Sequence, residues 1–136
     1  IQIILLIISN IILGGISGAI SNTAGLIRNL LYQKKWLKMP VKILLTVISS
    51  AIAIKLNTEG LVGYLPLLAN AVYIFLMDLK DIKKFKLLLI ATMTMWLIYD
   101  ILIKSYTLAV FDFATIVANI TVLIKMKNNI DTNIKK

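Results

Sequence analysis

Asp112 and Asn22 are the side chains of this 136-residue chain best suited to chemistry, because each interrupts a long apolar run. Polar groups are expensive in hydrocarbon and are kept there for a purpose. A carboxylate such as Asp112, within the first two turns of its run, must be protonated, paired or turned to water. It can then accept hydrogen bonds from a hydroxylated solute or carry a proton in coupled transport; a salt bridge inside the fold is the plainer use. Asn22, Gly25 and Asn29 fall at i, i+3 and i+7 on one helical face, and Asp112, Thr115 and Asn119 repeat that spacing. Both strips read as facing a bundle interior, where helix–helix adhesion competes with solute binding as their role. Depth separates them: Asn22 and Asp112, near mid-depth, point to a solute, whereas Asn29 and Asn119 point to packing or a gate. Trp96 lies central in another run with Thr92 one turn away, offering an indole face and a hydroxyl to a flat solute; core packing is the alternative. Asn22, Asp112, Trp96 and Thr92 are therefore the candidate substrate-binding residues.

Four further residues read as gate or packing elements: Asn29, Asn119, Arg28 and Pro66. Arg28 is one turn from the basic end of its run, so its default is to snorkel to the headgroups, with a gate or an anion contact as the alternative. Pro66 sits inside an apolar run and would free a backbone carbonyl, giving a static kink or a hinge. Asp100 has Lys104 at i+4, which reads as a local ion pair.

These positions recur. Residues 3–35 and 93–125 match without a gap at an offset of ninety, with Asn10 on Asp100, Asn22 on Asp112, Asn29 on Asn119 and Lys35 on Lys125. An internal duplication that keeps intramembrane polar residues suggests two halves with a site between them.

Composition bounds the chemistry. The chain is 60% hydrophobic, with no His and no Cys. That excludes thiol chemistry, disulfides and His/Cys metal sites, and no phosphate loop or paired catalytic carboxylates are present. No catalytic residue, metal or cofactor is assigned, and an enzyme is not expected. The net charge of +9 raises nucleic acid as a partner, but the lysines form no single basic face. The opening apolar run is no signal peptide, having no basic segment before it.

The elements that must position these residues are six apolar runs, about 1–14, 16–33, 41–56, 61–77, 85–104 and 106–125. Lys34, Lys35, Lys38 and Lys42 flank the second gap, Lys80, Lys83, Lys84 and Lys86 the fourth, and Lys125, Lys127, Lys135 and Lys136 the tail; the other side has only Lys55 and Lys104. This alternation predicts a multi-pass membrane protein with a cytoplasmic C-terminus. A soluble bundle would show amphipathic stripes and would not sort its lysines by loop. The repeat places the unmatched third run as a linker and expects one further helix before Ile1. The expected fold is an all-α membrane protein with six transmembrane helices of seven, in a parallel 3+1+3 arrangement of triple-helix bundles. Residues 1–33 would close the first bundle, 34–60 hold a basic cytoplasmic loop and the linker helix, 61–128 form the second bundle, and 129–136 a cytoplasmic tail.

The stretches "GLIRNLLYQKK", "YLPLLANAVYIFL" and "MWLIYDILIKSYTLAVFDFATIVANITVLIKMK" resemble the YgjV-type bacterial inner membrane proteins. More distantly, the 3+1+3 layout is similar to the SWEET and PQ-loop transporters, which facilitate sugar movement. That resemblance implies an asparagine pocket role for Asn22 and, as a departure, Asp112, and an aromatic role for Trp96 with Thr92 beside it. The counterpart of Trp96 in the first half is Leu6, and the Pro-Gln signature reads Pro66-Leu67. Aspartate in place of asparagine opens the site to a cation, a proton-coupled solute or an amine. The expected function is a small-solute, sugar-like transporter or facilitator working by alternating access; the alternative is a non-transporting scaffold or accessory subunit. The expected partners are the lipid bilayer and an unidentified small solute, with no nucleic acid and a homo-oligomer left open.

Overall fold

A computed structural model describes residues 1–135 and is all-helical; Lys136, counted with the tail lysines above, lies outside the described residues. The helices are α1 (Gln2–Ile12), α2 (Ile16–Gln33), α3 (Met39–Leu56), α4 (Tyr64–Leu76), α5 (Ile82–Leu102) and α6 (Tyr106–Ile134), with a 3₁₀ turn over Gly60–Gly63 leading into α4.

Their limits have local causes. Pro40 sits in the first turn of α3, where its missing N–H costs nothing. Asp81 caps α5, its Oδ1 accepting from the Lys83 N–H at 2.9 Å and the Lys84 N–H at 3.5 Å. That cap pulls the start of α5 back to Ile82, into the charged segment expected to be a loop. At the other extreme, α6 continues to Ile134, so most of the expected tail is helical. Pro66 also departs from expectation. It is buried in the first turn of α4, straight after the 3₁₀ turn, so it starts that helix instead of kinking it.

Three helices stop in the same way, each with a left-handed residue just past its end: Gly14 (φ 76°), Lys35 (φ 57°) and Lys104 (φ 62°). At the first corner, Gly15 N–H donates to the Asn10 carbonyl at 2.8 Å and Gly14 N–H to Ile11 at 3.2 Å. At the third, Ser105 N–H donates to Asp100 at 2.7 Å and Lys104 N–H to Ile101 at 3.1 Å. Both are Schellman corners. Their partners are ninety residues apart, atom for atom, so α1–α2 and α5–α6 turn through the same kind of corner. A lysine pays a steric cost in this conformation that glycine does not. Lys104→Gly is expected to raise stability by about 0.5–1 kcal/mol; a thermal melt in detergent with no upward shift would count against the strain at this corner.

The three even-numbered helices run one way and the three odd-numbered ones the other. The α1–α2, α3–α4 and α5–α6 connections share one end, and the lysine-rich connections share the opposite end. α2 is the hub, packed against α1, α3 and α4, while α5 joins α4 to α6. At the shared turn end, the Glu59 carboxylate accepts from the Ser17 N–H at 3.1 Å, placing a negative charge at the N-terminus of α2. At the lysine-rich end, Lys42 is buried and pairs with Asp78, the one ion pair among the described residues.

Burial is inverted relative to a water-soluble domain. Among the described residues, ten buried polar or charged residues outnumber nine buried hydrophobic ones, while side chains such as Val110, Phe111 and Phe113 on α6 stand outward. An exterior of this kind suits lipid, in which backbone groups must be satisfied within helices. α3, α5 and α6 are long and apolar enough to cross a membrane, and 2–12 and 60–76 are shorter apolar helices.

Candidate functional site

The two matched hairpins face each other across one cavity of about 660 Å³. Its walls bring together Leu6 with Trp96, Asn10 with Asp100, and Asn22 with Asp112. Each of these pairs is related by the ninety-residue offset. A second cavity of about 220 Å³ adjoins it and shares Asn22, Met93 and Trp96 as walls. Arg28, Asn70, Tyr73 and Thr92 line that second space.

In the larger cavity, Asn10 on α1 is 1% exposed and Asp100 on α5 is 2% exposed. Asn10 Nδ2 donates to its own helix at the Leu6 carbonyl, 3.0 Å away, which identifies its other terminal atom as the oxygen. That oxygen, together with Asp100 Oδ1 and Asp112 Oδ2, is buried with no hydrogen-bond partner among the described residues. The Asp100 and Asp112 carboxyl groups are direct neighbours. Asp100 is therefore not in the local ion pair with Lys104 that its spacing suggested. Lys104 occupies the left-handed corner position and is exposed, while Asp100, four residues earlier, points into the bundle.

Trp96 is half-buried between the two cavities and meets Tyr99 edge to face, with ring centroids 5.9 Å apart. Tyr99 is wholly buried and its hydroxyl accepts from the Gly18 N–H at 3.0 Å, tying α5 to α2. Thr92 is buried one turn below, its hydroxyl donating to the carbonyls of Leu88 at 3.0 Å and Leu89 at 3.2 Å. That leaves the Thr92 oxygen as an acceptor at the cavity wall. Asn22 is half-buried at the junction.

Arg28 does not snorkel outward. Its guanidinium lies over the Tyr73 ring, 4.5 Å from the centroid, and donates from Nη1 to Asn70 Oδ1 at 3.0 Å. Nε and Nη2 both donate to Asn29 Oδ1, at 3.2 and 3.1 Å. The cation–π contact and the amides hold the charge inside the bundle. Asn29 thus positions Arg28, whereas Asn119, 6% exposed, donates to the Thr115 carbonyl of its own helix at 2.8 Å.

Sequence reasoning missed Asn70 and Tyr73, which reach the site from α4, and underrated Asn10 and Asp100. The repeat contained a signal for the last two, since they are one of its aligned polar pairs. Among the described residues, no group of three His, Cys, Asp or Glu gathers to hold a metal ion. The arrangement can bind: it offers acceptors at one end, a guanidinium at the other and an indole between them.

No curated protein and no solved structure matches the chain. The apolar exterior, the polar interior and the candidate spans describe a membrane protein, and the family model described as a bacterial inner membrane protein matches residues 1–130, so the chain belongs to the Imp-YgjV family.

Proposed function

We propose that the chain moves a small solute across the bacterial inner membrane by alternating access, with Asn22, Asp112, Trp96 and Thr92 contacting the solute. The observation that carries this reading is the cavity between the repeats, in which three pairs of equivalent residues face one another. Binding at the interface of internal repeats is how many transporters let two rigid halves rock about a fixed site. In this reading the chain crosses the membrane six times with its lysine-rich end and C-terminus in the cytoplasm. It belongs to a seven-span 3+1+3 layout similar to the SWEET transporters, and it has lipid and a small molecule as partners instead of acting as an enzyme.

The test is flux. The full chain, purified and reconstituted into proteoliposomes, is expected to accelerate equilibration of a labelled solute from a panel of sugars, amines and amino acids. Absence of flux for the whole panel, together with a stable protein partner on pull-down, would favour the scaffold instead. Flux that survives both Asp112→Ala and Trp96→Ala unchanged would dissociate transport from this site.

A further inference from the structure

Beyond the site's role as a pocket, its charges are separated in a way that specifies a solute. Three oxygens on residues that line the larger cavity are buried without a donor from any neutral or cationic side chain of the described residues: Asn10 Oδ1, Asp100 Oδ1 and Asp112 Oδ2. A single proton can bridge two carboxylates but leaves the amide oxygen unsatisfied, and a buried acceptor without a donor costs about 1–3 kcal/mol. An ammonium group carries three N–H donors and can serve all three oxygens. In the adjoining cavity, Arg28 uses three N–H groups on Asn29 and Asn70. A guanidinium has five, so two remain, and no carboxylate of the described residues pairs with it. A carboxylate is the group that matches this fork.

α2 measures the distance between the two ends. A Cβ at Gly18 would lie 2.7 Å from Asn10 Oδ1, and one at Gly25 would lie 3.5 Å from Arg28 Nη2. Those residues are seven positions apart, a rise of roughly 10 Å along the helix axis. Two hydrogen bonds of about 2.8 Å occupy part of that span, leaving roughly 5 Å between the solute's own charges. The Trp96 indole and the Met93 thioether line the stretch between, an apolar surface suited to methylenes. Asn22, which opens on both cavities, offers the one amide at mid-length.

We propose that the solute is a zwitterion whose ammonium and carboxylate are separated by a short apolar chain, the ammonium held by Asn10, Asp100 and Asp112 and the carboxylate by Arg28. An ω-amino acid of about four carbons, with four bonds of roughly 1.25 Å projected length from nitrogen to carboxyl carbon, has this spacing. An α-amino acid is too short to engage both ends at once. The inference rests on the transporter reading for its meaning, but binding tests it independently.

The probes are 4-aminobutyrate, its N-acetyl derivative, its methyl ester and glucose, each measured for binding to the full chain in detergent and for flux in proteoliposomes. 4-Aminobutyrate is expected to bind at least tenfold more tightly than either blocked derivative. Arg28→Gln should abolish discrimination against the ester and keep discrimination against the N-acetyl compound, and Asp112→Asn should do the reverse; helicity and a monodisperse elution profile establish that each variant is folded. The conservative Arg28→Lys is expected to restore part of the discrimination lost in Arg28→Gln. Zwitterion binding without flux would uphold the assigned ligand and remove the transporter reading. Glucose flux that depends on Asp112, with no zwitterion binding, would keep the transporter and overturn the ligand. Equal binding of all four probes, or of none, overturns the ligand as well.

Discussion

Asp112→Asn is expected to reduce solute flux by at least tenfold while leaving the protein folded and reconstituted in the same amount. Asparagine has nearly the shape of aspartate, so the Asp112 position stays filled and α5–α6 packing is retained. What changes is the charge and the set of donors. The substitution places an amide N–H against Asp100, supplying a donor from the protein to the buried Asp100 Oδ1. The cluster then no longer needs a donor from the solute. A charge-assisted hydrogen bond contributes about 1.5–3 kcal/mol, and each 1.4 kcal/mol is a tenfold change in affinity, which sets the expected size. Initial rates in proteoliposomes, normalised to protein content, are the measurement. The matching change in the other repeat, Asn22→Asp, gives a second arm. It adds a carboxylate at the equivalent position of the same cavity and is expected to alter selectivity without emptying the site. Unchanged flux in Asp112→Asn would show that this carboxylate is a packing element.

The polar repeat was legible in the sequence because hydrocarbon makes every buried Asn and Asp conspicuous. Asn22 and Asp112 stood out on that ground, and both line the larger cavity together with Trp96. The readings that failed did so for identifiable reasons. Lysine at i+4 is a strong cue for an ion pair with Asp100, but that cue assumes the helix continues through Lys104. The helix instead turns off in a Schellman corner whose left-handed residue is Lys104 itself, a position where glycine is the usual marker. Arg28 was misread because its partners are non-local. Only packing of α4 beside α2 brings Asn70 and Tyr73 under the guanidinium, and no spacing within α2 announces them. The expected kink at Pro66 failed in the same way as the expected helix limits. The apolar run hides a 3₁₀ turn, because Gly60–Gly63 reads as the start of a helix when only hydropathy is followed.

Gly18→Ala is expected to be strongly destabilising, by more than a single added methyl usually costs. In lipid, helices gain little from burying apolar area and depend on close backbone approach at small residues. At Gly18 a Cβ would lie 2.7 Å from Asn10 Oδ1 and 2.8 Å from both Cε1 and Oη of Tyr99. Neither neighbour is free to yield. Asn10 is tied to the Leu6 carbonyl, and Tyr99 is wholly buried, with its ring against Trp96 and its hydroxyl on the Gly18 N–H. The added carbon therefore pushes α1 and α5 off α2 together, lengthening the Gly18–Tyr99 hydrogen bond as it does so. Overpacking costs about 1–3 kcal/mol and the weakened hydrogen bond about 1 more. Gly25→Ala on the same helix is the control, since its Cβ meets Arg28 Nη2 at 3.5 Å, an ordinary contact. Thermal unfolding in detergent should separate the two variants by several degrees, with Gly18→Ala lower, and flux should fall in Gly18→Ala because Asn10 and Asp100 are carried on the displaced helices. Equal melting of the two variants would mean that α1 and α5 are not held against α2 at Gly18.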